Sequence, residues 1–180
     1  MKKKNRNFMS LSFIGLCLLG ANSFVYAEEL GVFPLKTVQA FKFEQFPANV
    51  AVTSAIAKPI LTTKLAKQYK TVITLAMAEP ANFAGRLSCR VVTWGCGTDC
   101  RGFAILNKLS GVAYTLPGVE YVAGIMGNEE ERLDFKSDSR LFVISGLVND
   151  ETEGKFYYLW ERERLKLLAK TPLVKQSYSG

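Results

Sequence analysis

The sequence predicts an α+β fold: one amphipathic helix packed on an antiparallel β-sheet of hairpins, in a single domain. Three observations carry this expectation. Residues 61–78 place apolar side chains at helical spacing. From residue 86 onward, short runs rich in β-branched and aromatic residues are separated by turn signals. No helical pattern alternates with those runs, as a parallel βαβ sheet would require.

The elements follow in order. Residues 1–27 carry a basic start (Lys2, Lys3, Lys4, Arg6), a short apolar run over residues 8–19 and the small-x-small pattern Val25-Tyr26-Ala27. That arrangement predicts a cleaved signal peptide, because the apolar run is shorter than the ~20 residues a spanning helix needs. Cys17 lies in the apolar run but follows Leu16, where a lipoprotein signal wants a small residue. The expected address is therefore periplasmic or secreted, in the envelope of a Gram-negative bacterium. Of 23 basic residues four leave with the signal, so 19 remain against 16 acidic ones, a net of +3. A balance that small gives no electrostatic footprint for nucleic acid.

Residues 28–60 read as an extended N-terminal segment, with Val38, Ala40 and Phe43 loosely alternating and Pro47 and Pro59 as brackets. Residues 61–180 form the expected α+β domain. In its helix, Leu61, Leu65, Tyr69, Val72, Ile73 and Ala76 make one stripe, Thr62 or Thr63 can cap the start, and Glu79-Pro80 ends it. Strands are expected over 87–94, 102–107 and 112–116, the last two turned by "KLSG" at 108–111. A polar loop holding "NEEERLD" follows. Strands at 140–148 and 155–160 flank the turn "NDETEG", and "ERER" turns the chain into 165–169.

"NFAG" (82–85), "VVTWGCGTDC" (91–100) and Ser110-Gly111 with Tyr114 and Pro117 together resemble a family of small exported bacterial proteins with an N-F-A-G…W-G-C-G-x-x-C core. The resemblance implies an exported protein and no particular activity. It covers the middle third of the chain. The stretch "RLSCR" (86–90) departs from the family pattern, which is shorter there and holds a histidine; Cys89 looks like an addition.

The chain has no histidine. Ser-His-Asp and Cys-His catalysis and imidazole metal sites are therefore excluded. No serine has a lysine three residues on, and no Walker-type phosphate loop is present. Glu129, Glu130, Glu131 and Asp134 form an acidic run, which is more often a solvated face than a catalytic pair.

After signal removal the cysteines are Cys89, Cys96 and Cys100. Cys96 and Cys100 can close a tight turn through Gly95 and Gly97, and an oxidising compartment favours a disulfide there. Redox pairs are usually Cys-x-x-Cys at a helix start, and a thiolate metal site would need Cys89 or Asp99 as a further ligand. Cys89 is expected to be buried on the strand. Tyr157, Tyr158 and Trp160 are candidates for a surface binding patch, with packing inside the hairpin as the alternative.

These readings point to an exported, non-catalytic binding or structural domain with a stapled turn, using no cofactor and no metal. Its partner would be an envelope protein or glycan. The alternative is a thiol-dependent redox or metal-handling protein acting through Cys96 and Cys100. A carboxylate-dependent hydrolase of cell-wall glycan is a third reading.

Overall fold

The computed structural model describes residues 40–49, 56–85 and 88–174. The expected signal peptide and the rest of the N-terminal segment lie outside the described residues, as do Arg86 and Leu87.

The described elements are β1 (Ile60–Leu61), α1 (Lys64–Gln68), α2 (Lys70–Ala76), β2 (Cys89–Gly95), β3 (Cys100–Asn107), β4 (Val112–Tyr114), β5 (Val122–Ala123), β6 (Leu133–Phe135), β7 (Leu141–Val148), β8 (Thr152–Glu161) and β9 (Arg164–Thr171). One sheet runs β1-β4-β3-β5-β7-β8-β9, with β2 added on β3 and β6 on β7. The short β5 joins two halves, pairing with the start of β3 and the end of β7.

Strand alternation sends successive side chains to opposite faces, and the buried residues sort accordingly. Cys89, Val91, Phe103, Ile105, Phe142, Ile144, Phe156 and Trp160 form the largest core, between the two halves. Val92, Trp94, Ala104, Leu106 and Ala113 face the other way and are covered by Ala66, Ile73, Ala76 and Met77 of the helical segment. Leu141, Val143 and Tyr157, on the far side, are covered by Phe41, Phe43 and Phe46.

Most expected elements form, but the fold is predominantly β and differs from a helix on an antiparallel sheet in three ways. The helix breaks at Tyr69, whose backbone leaves helical values (φ −101°, ψ 26°). The helix also starts at Lys64, and Leu61, expected in the stripe, lies in β1; from Leu65 onward the stripe packs as expected, and Thr63 accepts a hydrogen bond from Ala66 N as the cap. β1 pairs parallel with β4, so the sheet is mixed. β5 and β6 arise inside what reads as loop; at two and three residues they are too short to show periodicity.

The N-terminal segment is also not merely extended. A 3-10 turn at Phe43–Gln45 is anchored on buried Ser139, whose hydroxyl donates to the carbonyls of Phe43 (2.8 Å) and Phe46 (3.0 Å).

Candidate functional site

The "WGCGTDC" stretch ends β2 and begins β3. Trp94 and Gly102 are cross-strand partners. The indole lies over the glycine, and a Cβ at Gly102 would overlap it. Tyr69 stacks on the indole, with centroids 4.1 Å apart and an interplanar angle of 15°. The helix break and the tight turn are thus tied together by one ring.

Cys96 and Cys100 sit at disulfide distance, with Cα atoms 5.4 Å apart, inside the usual span for a bridged pair. Cys96 is exposed and Cys100 is buried. The carboxylate of Asp99 forms an ion pair with Arg132. The Asp99 carbonyl accepts from Gly124 N (2.9 Å) and from Arg132 Nε (3.2 Å). Asp99 therefore holds the loop after β5 against the turn.

Cys89 is remote from the pair. It starts β2 and faces Asn107, whereas Gly95 at the other end faces Arg101; six residues of strand separate the ends by roughly 20 Å. Cys89 cannot complete a metal site with Cys96 and Cys100. Burial pushes its thiol up to about 11, so it stays protonated and inert.

The expected aromatic patch is not at the surface. Tyr157 and Trp160 are 3% and 7% exposed. Tyr158 is half-buried against the principal core, and Trp160 meets Tyr114 edge-on at 5.5 Å. The inward-facing positions of β8 need large apolar side chains to fill the space between the sheet halves, and the hairpin supplies these. In the acidic run, Glu130 pairs with Lys155 at 2.5 Å.

The other motif residues are likewise structural. Asn82 accepts from Val91 N (2.7 Å) and donates to Val91 O (3.1 Å), covering the free edge of β2. Phe83 is fully buried between Phe142, Phe135 and Trp160. Gly85 has φ +118° with the Asn49 carbonyl against it, so a side chain does not fit. Ser110 donates to Glu163 (2.6 Å), which also accepts from Asn107 (2.5 Å), joining two hairpin turns.

A cleft of about 650 Å³ opens beside the Cys96 turn. One wall is the start of the helical segment, from Thr63 to Tyr69. The other is the turn at residues 115–121, with Asn149 behind it. The walls are pinned by side chains. Thr63 and Thr115 share a hydroxyl–hydroxyl bond of 2.8 Å. Asn149 accepts from the amides of Glu120 (2.9 Å) and Tyr121 (3.3 Å) and donates to Gly118 O (2.7 Å). Sequence reading missed this cleft, because its two walls lie some fifty residues apart in the chain. Pro117-Gly118 marked a turn but not what the turn faces.

Comparison of the chain with models of known protein families, with curated proteins and with solved structures finds no match in any of the three. Among the described residues, no helix is long and apolar enough to cross a membrane.

Proposed function

We propose that the chain is an exported, non-catalytic binding domain of the bacterial envelope, in which a Cys96–Cys100 disulfide staples the turn beside a ligand cleft. One observation carries the reading: Trp94, Asp99 and the two cysteines of "WGCGTDC" are engaged in holding the turn beside that cleft. Trp94 is stacked on Tyr69, Asp99 is paired with Arg132, and the two sulfurs are placed together. Cys96 itself lines the cleft. The export signal read in residues 1–27 and an oxidising compartment support the staple.

The test is a thiol count by alkylation and intact mass on protein prepared from the periplasm without reductant, with metal measured on the same sample. The expected result is a mass beginning at Glu28, two oxidised sulfurs, one thiol reactive only after denaturation, and no metal.

A second reading, thiol-dependent exchange, draws on the exposed position of Cys96 beside buried Cys100, an asymmetry that gives an external thiol one sulfur to attack. Three free thiols would favour that reading, stoichiometric metal would favour metal handling at the same cysteines, and either would reject the first.

A further inference from the structure

The cleft beside the Cys96 turn has pinned walls and unengaged polar groups facing into it. Thr63, Thr115 and Asn149 are used up in tying the walls. Lys64, Gln68 and Glu120, which line the same space, have side chains that make no hydrogen bond or ion pair among the described residues. An ammonium, a carboxamide and a carboxylate are thus presented on a rigid frame, with no ordering cost for that frame on binding.

The chemistry of the lining selects among ligands. Lys64 and Glu120, the charged residues of the lining, cancel in formal charge, so the lining itself carries no net charge to select an anion or a cation. No lining residue belongs to a strand, so peptide capture by strand addition has no edge to use. Leu65, Val119 and half-buried Tyr121 line the cleft together with these polar groups and add apolar surface to it. That ring is held in place by its hydroxyl, which donates to Asp150 at 2.8 Å. Flat apolar faces beside amide and carboxylate groups suit a neutral polyol, whose C–H faces pack on rings while adjacent hydroxyls pair with side chains. The volume of about 650 Å³ lies within the range of small-molecule sites.

Resting on the binding-domain reading above, we infer that this cleft is a recognition site for a short, uncharged oligosaccharide. Gln68 and Glu120 hydrogen-bond its hydroxyls and Tyr121 supports a sugar face.

Saturation-transfer NMR on the mature chain tests this with chitobiose, maltotriose, cellotriose and lactose, using triglycine and inorganic phosphate as comparators. The expected result is a saturable signal from at least one saccharide. Gln68→Ala and Glu120→Ala should each weaken it about tenfold, the effect of losing a hydrogen bond worth ~1.4 kcal/mol. Both residues are exposed, so circular dichroism and the thermal midpoint should match the parent. Three results would overturn the inference: no saturable saccharide signal, a signal indifferent to both substitutions, or tighter binding of the tripeptide or phosphate. Three free thiols would instead reject the underlying reading, whereas one free thiol with no saccharide signal rejects the ligand class alone.

Discussion

The indole of Trp94 occupies the space above Gly102 while Tyr69 stacks on it at 4.1 Å. Three distant points of the sequence are thereby locked: the helix break, the end of β2 and the start of β3. Gly102→Ala forces a methyl into the indole, and overpacking of this kind typically costs 1–3 kcal/mol. A denaturant midpoint should fall accordingly. Trp94→Leu should remove most of the penalty of Gly102→Ala, so the double variant should be more stable than additivity predicts. Strict additivity would show that the ring and the glycine are not in conflict.

Cys89 titrates in the opposite sense to a reactive thiol. Its value rises from 9.0 to about 11, first through burial. The folded state keeps the proton where the unfolded chain has lost it. Stability is therefore unaffected below pH 9, falls between pH 9 and 11, and reaches its full loss above the folded value. Two pKa units correspond to roughly 2–3 kcal/mol. Burial also raises the phenols of Tyr114 and Tyr158, so Cys89→Ala should flatten only part of the alkaline decline in urea-unfolding stability. An unchanged decline would place the thiol in contact with solvent.

The Asn82 side chain supplies two hydrogen bonds to Val91 at the outer edge of β2. Asn82→Ala leaves the Val91 amide and carbonyl without these partners, at a cost of about 1–3 kcal/mol. Asn82→Asp retains the acceptor for Val91 N and loses only the donor, so it should be the milder change. Hydrogen exchange at the Val91 amide should accelerate in the alanine variant and much less in the aspartate variant.

Asp99 and Arg132 are 63% and 25% exposed at the side chain. An ion pair that open contributes at most about 1 kcal/mol. Asp99→Ala should barely move the thermal midpoint, yet the Gly124 amide, bonded to the Asp99 carbonyl, should exchange faster as the loop after β5 loosens. A large drop in the midpoint would mean that the pair holds the turn itself together.

Reduction of Cys96–Cys100 should be mild. The ring is short, so its loss costs less than the ~3 kcal/mol of a 15-residue loop. Cross-strand pairing from Cys89 to Gly95 should survive, as amide exchange along β2 would show. Global unfolding on reduction would make the pair a main support of the domain.

Local pattern determined much of this protein from sequence alone. The stripe from Leu65 to Ala76, a threonine cap at residue 62 or 63, the long β7 and β8 strands and the turn at Asn149 and Asp150 (φ 52° and 59°) all follow from periodicity and residue type. The closeness of Cys96 and Cys100 was legible because a short glycine-bearing turn constrains them locally. Burial of Tyr157 and Trp160 was not legible, since an aromatic on a strand reads the same whether it faces solvent or a second sheet. The strands β5 and β6, the parallel pairing of β1, and the cleft between the helix start and residues 115–121 depend on contacts between distant segments. Only the folding of the sheet back on itself decided those, because short strands carry no period and a pocket belongs to no single stretch of chain.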